Sequence, residues 1–157
     1  MTVKDPSWLA QYLSSGKKVL IMAGALCDQI QLEDKSLLDY VAEISKKAKA
    51  PVAATANTVT GLRERGIETN KAWAVEMVNF SRYEWHHPIT DGKPEVMVLI
   101  GYNPIAASNL ASAAEDCETV ALGSTYVDPA TYSLPSVGSF KEWQKELSDL
   151  IQALGKA

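Results

Sequence analysis

The sequence predicts an α/β protein with a doubly wound, mostly parallel sheet flanked by helices. Two observations indicate this class. First, short runs of consecutive apolar residues, such as Val19–Ala23 and Val96–Ile100, are typical of strands that helices cover on both faces. Second, segments with helical periodicity separate these runs, and an alternation of strand and helix favours parallel strands joined by right-handed crossovers.

The first half of the chain is expected to contain three helices and two strands. Asp5 followed by Pro6 is typical of an N-cap and the first helical residue. Apolar residues recur at helical spacing from Leu37 and again from Trp73. The predicted helices span 6–13, 37–48 and 71–82, and the predicted strands span 19–23 and 51–55.

The second half repeats this pattern with two more strands, at 96–100 and 119–122. An Ala/Ser-rich helix is expected from Pro104 to about Ala114, and its small side chains would permit a close approach to the sheet. An apolar stripe from Phe140 to Leu154 indicates a final amphipathic helix.

Length and composition limit the function classes. The chain has 157 residues and a mass of 17.0 kDa, which fits a single α/β domain over 1–157. With a formal charge of -4, the chain lacks the excess of basic residues that is typical of nucleic-acid binders. The longest apolar run, 19–27, is too short to cross a bilayer, and MTVKDPSW has no apolar segment behind a basic start. We therefore expect a cytoplasmic protein without nucleic acid or membrane as partner.

Motifs for catalysis or metal binding are scarce. Cys27 and Cys117 are the only cysteines and form no CxxC pair, which disfavours a zinc or iron–sulfur site. The only histidines, His86 and His87, are adjacent, so their side chains point apart and suit one metal poorly. Neither a GxSxG elbow nor an HExxH motif is present. No catalytic residue and no metal ligand is predicted.

The candidate binding site lies where the predicted parallel strands end. Open parallel sheets bind ligands outside the carboxyl ends of their strands, at the point where the strand order reverses. Small or polar residues follow every predicted strand, and glycine there permits close backbone approach to a phosphate. The candidate cofactor-binding residues are Gly24, Ala25, Thr55, Asn57, Thr58, Gly101, Tyr102, Asn103 and Ser124.

The usual NAD fingerprint is incomplete at these positions. A GxGxxG motif that starts at Gly24 would need glycine where Leu26 and Gln29 stand, and no acidic residue ends the second predicted strand. NAD binding of the usual kind is therefore disfavoured. Two alternatives stay open: a flavin or nucleotide held by another geometry, and connecting loops that hold no ligand.

The order of several stretches resembles a known family. KKVLIMAG is followed by APVAAT, DGKPEVMVLIGY and YVDPATYSL, and the similarity runs over about 17–154. In this order and spacing they are similar to the epsilon subunits of archaeal acetyl-CoA decarbonylase/synthase, which accompany a carbon monoxide dehydrogenase alpha subunit. The same pieces also resemble the flavin-binding middle domain of thiamine-diphosphate enzymes.

This resemblance implies a Rossmann-like, NAD/FAD-binding fold of the deoxyhypusine synthase type and an alpha2epsilon2 assembly with the alpha subunit. In that family the alpha subunit carries the nickel–iron–sulfur chemistry of CO and CO2, while the epsilon subunit stabilises it or helps to pass electrons to FAD. We expect no activity of the isolated chain and no tightly bound cofactor. FAD is expected to bind weakly, because Ala56 and the turn AGALC carry Cβ atoms where the family pattern suggests glycine.

The preferred interpretation is thus a non-catalytic accessory subunit, and the alternative is a stand-alone flavin- or nucleotide-binding domain. The two differ in whether the strand-end loops form a cleft or are filled by their own side chains. Tyr102 and Tyr126 are the candidates for filling it.

An accessory subunit must also bury surface against its partner. We therefore expect an exposed apolar or aromatic patch around Tyr83, Trp85 and the HHPITDG loop, with Trp8 or Trp143 as alternatives. Self-association of the isolated chain is left open.

Overall fold

Residues 2–85 and 87–156 are described by the computed structural model, except for the side chains of Ala56 and Asn70. The strands within these residues are β1 (Val19–Ala23), β2 (Val52–Ala54), β3 (Thr69–Lys71), β4 (Val96–Ile100), β5 (Glu118–Ala121) and β6 (Tyr132–Ser133). The α-helices are α1 (Pro6–Leu13), α2 (Leu37–Ala48), α3 (Ala56–Glu64), α4 (Ala74–Arg82), α5 (Pro104–Ala113) and α6 (Phe140–Leu154). The strands form one sheet in the order β3-β2-β1-β4-β5-β6, and all neighbouring pairs are parallel.

Alternate residues of each central strand face two separate apolar cores. On one face, Ile21 of β1 and Val98 of β4 pack with α1, α2, α3 and α6. On the other face, Met22 and Leu99 pack with α4 and α5. The predicted α/β class, with a parallel sheet covered by helices, is confirmed.

Several helices begin where the sequence provides a cap. The Asp5 carboxylate accepts a hydrogen bond from the Trp8 amide at 2.8 Å, and Pro6 occupies the first helical position, as predicted. Ser36 and Asp39 form a reciprocal capping box at the start of α2. These side chains satisfy amide groups that a first helical turn leaves unpaired.

Helix α3 and strands β3 and β6 go beyond the sequence-based prediction. The sequence of α3, ANTVTGLRE, contains two threonines and a glycine, which lower helix propensity, so packing maintains this helix. Gly61 lets α3 pack closely on α2, because a Cβ there would displace the end of the Leu38 side chain. Strand β3 has the polar sequence TNK at the edge of the sheet, and an apolar run could not reveal it.

Some predicted boundaries differ from the structure. Helix α4 begins at Ala74 and not at 71, because Lys71 still belongs to β3 and Trp73 is the N-cap. Trp73 is 69% exposed and does not mark the buried face of α4, whereas Met77 is fully buried. Strand β5 begins one residue earlier than predicted, at Glu118.

The helices of the described residues are short. The longest, α6, has 15 residues, and none is long and apolar enough to cross a membrane.

Candidate functional site

The turns that follow β1 and β4 meet where the direction of the crossovers reverses, which is the usual ligand position of an open parallel sheet. Here the two turns bond to each other. The Gly24 amide donates to the Ile100 carbonyl at 2.8 Å, and the Leu26 amide donates to the Gly101 carbonyl at 3.0 Å. The Cys27 amide donates to the Gly24 carbonyl at 3.1 Å. Three amides that a phosphate would use are therefore already bonded. We call this region the β1–β4 crevice.

Two glycines make this close approach of the turns feasible. A Cβ on Gly24 would lie 2.4 Å from the Gly101 carbonyl oxygen. Gly101 has φ +84°, and a Cβ there would lie 2.2 Å from Cys27 Sγ and 3.0 Å from the Cys27 amide nitrogen. Both glycines thus serve the packing of one turn against the other, and the protein's own backbone fills the crevice.

The segment after β1 is not a helix N-terminus of the kind that binds phosphate. It is a 3₁₀ turn of four residues, Ala25–Asp28, and Ala25 is exposed. Phosphate sites rely on aligned peptide dipoles and free amides at the start of a longer helix. Asp28 adds a negative charge within the turn. This turn therefore offers little to hold an anion.

The candidate residues after β2 bond to one another. The Thr55 hydroxyl donates to Asn57 Oδ1 at 2.8 Å, and the Thr58 hydroxyl donates to the Thr55 carbonyl at 2.9 Å. Thr58 is buried, whereas Asn57 is exposed in the first turn of α3. The polar groups that the sequence offered to a ligand here are therefore engaged within the segment.

A cleft of about 240 Å³ lies next to the crevice, at the carboxyl ends of β4 and β5. We call it the β4–β5 cleft. Four of the predicted residues line it: Gly101, Tyr102, Asn103 and Ser124. The other five predicted residues, Gly24, Ala25, Thr55, Asn57 and Thr58, do not line it.

The walls of the β4–β5 cleft include two aromatic residues of α6 that the sequence analysis did not assign to a site. Trp143 is 3% exposed, and its indole N–H donates to the Leu122 carbonyl at 3.0 Å. Phe140 is 48% exposed, and its ring centroid lies 5.8 Å from that of Trp143. The stripe of α6 indicated core packing, which is correct for Trp143. The same face of α6 also lines a cleft, because the segments after β4 and β5, which are distant in the sequence, pack near it.

The two tyrosines expected to fill the site behave differently. Tyr102 is half-buried against the cleft, and burial, with a smaller effect of Cys27, raises the pKa of its hydroxyl. Tyr126 does not line the cleft, and its hydroxyl donates to Asp128 at 3.4 Å. Asn103 lies at the rim, but its Oδ1 accepts from the Ala106 amide at 2.8 Å and caps α5. The cleft therefore stays open despite Tyr102.

Cys27 is unsuited to thiolate chemistry. Burial raises the pKa of its thiol to about 12, although hydrogen bonds with backbone groups oppose this shift. Its Sγ donates to the Ile100 carbonyl at 3.5 Å. A thiol that stays protonated at neutral pH is neither a nucleophile nor a metal ligand. Cys27 therefore packs as a small apolar residue.

Potential metal ligands are not clustered in the part of the chain that the structure describes. No group of three or more histidine, cysteine, aspartate or glutamate side chains there has an arrangement that could hold a metal ion. His87 Nδ1 accepts from the Ile89 amide at 3.2 Å, and His86 lies outside the described residues.

Comparison with known proteins finds similar chains. No protein-family model matches it. It is 29% identical to acetyl-CoA decarbonylase/synthase complex subunit epsilon 1 of Methanosarcina barkeri, over 96% of this chain and 87% of that protein. It is 27% identical to subunit epsilon 2 of Methanosarcina mazei, over 95% and 86% of the two chains. The chain is thus similar to epsilon subunits over nearly its whole length.

A third similar protein comes from another genus. The epsilon subunit of Methanothermobacter thermautotrophicus is 25% identical over 92% of this chain and 83% of its own length. The resemblance that the sequence stretches indicated is confirmed.

The chain exposes large apolar side chains on one face of the sheet's carboxyl edge. Trp73 and Val75 lie at the start of α4, and Ile105 lies in the first turn of α5; they are 69%, 63% and 76% exposed. Helices α4 and α5 pack side by side, and Arg82 pairs with Glu115 at 3.6 Å near their ends. Both helices follow a strand directly, so their first turns lie at the same edge. We call Trp73, Val75 and Ile105 the carboxyl-edge patch.

The region in which the sequence predicted such a patch is exposed only in part. Tyr83 is exposed, as predicted. Trp85 is half-buried, packs against Phe80 with ring centroids 6.1 Å apart, and donates its indole N–H to the His87 carbonyl. Trp85 is therefore only partly exposed, because Phe80 and the following loop cover part of its ring.

Proposed function

We propose that this chain is the non-catalytic accessory subunit, epsilon, of the carbon monoxide dehydrogenase component of an acetyl-CoA decarbonylase/synthase complex. It stabilises the alpha subunit and works in the cytoplasm. The observation that carries the proposal is the similarity to three proteins named epsilon subunits, over more than nine tenths of this chain.

The architecture supports an accessory role. The thiol of Cys27 is buried and protonated, and the described residues do not bring metal-ligating side chains together. The redox centres of the complex therefore reside in the alpha subunit, in an alpha2epsilon2 assembly. The epsilon chain contributes contact surface and has no activity alone.

We further propose that the fold is Rossmann-like and of the deoxyhypusine synthase type. The strand order β3-β2-β1-β4-β5-β6 supports this assignment, because it is the order of dinucleotide-binding sheets. The nucleotide site of that fold is reduced here, since the amides of Gly24, Leu26 and Cys27 are bonded within the turns.

It follows that the chain holds no tightly bound cofactor. FAD binds weakly at the strand-end loops, among the nine residues predicted from the sequence, and assistance to electron transfer occurs only while alpha is bound. A stand-alone flavin-binding domain would need a crevice with free amides, and three of those amides are bonded in the β1–β4 crevice.

The carboxyl-edge patch is the proposed contact with alpha. Three large apolar side chains at one edge form the kind of surface that a protein interface buries. In the isolated chain the same surface promotes self-association.

Size-exclusion chromatography of the chain with purified alpha subunit tests this function. Co-elution is expected, and its loss is expected for the double variant Trp73→Ser, Ile105→Ser. Tyr83→Ser is the matched control, because Tyr83 is equally exposed but lies at the opposite end of α4. Separate elution of the unmodified chain and alpha would contradict the proposal, and a loss confined to Tyr83→Ser would move the contact to the loop after α4.

A further inference from the structure

Small residues line part of the β4–β5 cleft. Ala107 of α5 and Ala121 of β5 both line it, and both are buried. Larger side chains at these positions would occupy the space. The Ala/Ser-rich sequence of α5 therefore creates a cavity next to the sheet, and Trp143 and Phe140 of α6 form its other wall.

The lining is almost entirely apolar or aromatic. Among the described residues, no charged side chain lines the cleft, although the cleft reaches the starts of α5 and α6. The polar side chains there are the Tyr102 and Ser124 hydroxyls, the Thr125 hydroxyl and the Asn103 amide, and the last is used as a helix cap. This lining suits an uncharged ring with at most one or two polar substituents, because a buried charge would have no ionic partner.

The size of the cleft limits the ligand to about one ring. A volume of about 240 Å³ is below the range of about 300–1,000 Å³ of sites for drug-sized molecules. It exceeds the roughly 150 Å³ of an engineered apolar cavity that binds benzene. A three-ring flavin would not enter it.

We propose that the β4–β5 cleft is a binding site for a small, neutral, single-ring aromatic molecule. The ring packs between Trp143 and Ala107, and Phe140 covers it from the mouth. This site adjoins the β1–β4 crevice and shares Leu26 and Gly101 with it. It does not depend on the proposed function, because the alpha subunit takes no part in it.

Titration of the full chain with phenol, followed by ¹H–¹⁵N NMR, tests the proposal. Phenol is expected to shift the indole N–H signal of Trp143 saturably at millimolar concentrations, while the signal of exposed Trp73 stays in place. Benzoate, which has the same ring and a negative charge, should bind at least about tenfold more weakly. Equal or tighter binding of benzoate would overturn the proposal and indicate an anion site at the helix starts.

A substitution that fills the cleft provides the decisive test. Ala107→Leu is expected to weaken phenol binding by about tenfold or more while the chain stays folded, because the added atoms enter existing space. Asn109→Leu is the matched control, since Asn109 is exposed on the same helix and outside the cleft. Unchanged phenol binding by Ala107→Leu would overturn the proposal.

A second test uses the unmodified chain, so that the proposal can still be tested if Ala107→Leu does not fold. Nuclear Overhauser effects are expected between phenol ring protons and the side chains of Trp143 and Val127, which both line the cleft. Effects only to surface residues such as Trp73 and Ile105 would overturn the assignment of the site.

Discussion

The β1–β4 crevice and the β4–β5 cleft lie side by side at one edge of the sheet, but the crevice is filled by backbone and the cleft is open. In the crevice, Gly24 and Gly101 let two turns approach until their amides bond to each other. In the cleft, Ala107 and Ala121 leave space that no side chain fills. Small residues therefore do not by themselves indicate a ligand site. Their effect depends on whether backbone or solvent occupies the space beside them.

The largest expected effect concerns the crevice. Gly101→Ala should lower the free energy of unfolding by about 3 kcal/mol. The alanine would have to adopt a positive φ, and its Cβ would lie 2.2 Å from Cys27 Sγ. The matched control is Gly123→Ala beside the cleft, where the nearest atom to a Cβ is the Thr125 carbonyl oxygen at 3.6 Å. That change should stay within about 0.5 kcal/mol. Urea unfolding of both variants gives the values, and equal effects would contradict the contrast between the two regions.

The next effect concerns the cleft wall. Trp143→Phe should cost about 2 kcal/mol, because it removes buried ring volume and leaves the Leu122 carbonyl without its indole donor. Phe140→Leu at the half-exposed mouth should cost less than about 1 kcal/mol. Thermal and urea unfolding compare the two variants. A larger loss for Phe140→Leu would mean that the mouth, and not the inner wall, supports the cleft.

A smaller effect lies behind the crevice, where α3 packs on α2. Asp39 caps α2 and pairs with Arg65 at 2.6 Å. Burial tends to raise the pKa of Asp39, but the hydrogen bonds of Arg65 and Ser36 and the charge of Arg65 outweigh it, and the pKa is lowered. Asp39→Asn should therefore cost about 1 kcal/mol at pH 7.

The pH dependence of Asp39→Asn follows from the direction of that shift. A lowered pKa in the folded state contributes stability above the ordinary aspartate value of about 3.9, and this stability is lost as the pH falls through the folded pKa. The difference between wild type and variant should therefore shrink only below about pH 4. Urea unfolding at pH 7 and pH 3 measures it, and a constant difference would contradict the ion pair as its cause.

The smallest expected change in stability concerns Glu146, which lies away from both the crevice and the cleft. Glu146 of α6 has a buried Oε2 without a hydrogen-bond partner, and burial, followed by the charge of Asp149, raises the pKa of its carboxyl. A raised pKa contributes stability below the ordinary glutamate value of about 4.3 that is lost as the pH rises through the folded pKa. Glu146→Gln should therefore stabilise the chain by a few tenths of a kcal/mol at pH 7 and not at pH 4. A gain at both pH values, by thermal unfolding, would contradict this.

The sequence predicted those parts of the fold that have a strong local signal. Val19–Ala23 and Val96–Ile100 are uninterrupted apolar runs, and both strands have the predicted boundaries. Strand β3 and helix α3 were missed, because TNK has no apolar residue and α3 depends on packing against α2. Local composition cannot reveal elements that tertiary contacts maintain.

The candidate site was predictable to a smaller extent. Gly24 and Gly101 were correctly placed at strand ends, but the sequence could not show that the turns carrying them bond to each other. The cleft was even harder to predict from the sequence, because Trp143 and Ala107 are far apart in the chain and come together only in the folded protein. The Ala/Ser-rich helix was the one local signal for it.

Titration of the isolated chain with FAD, followed by flavin fluorescence and by the melting temperature, tests most directly whether the β1–β4 crevice is closed. The turn-to-turn hydrogen bonds predict no saturation at micromolar FAD and no rise in melting temperature. Saturable quenching at micromolar FAD, with a rise in melting temperature, would show that the turns open to accept a dinucleotide and would contradict the account.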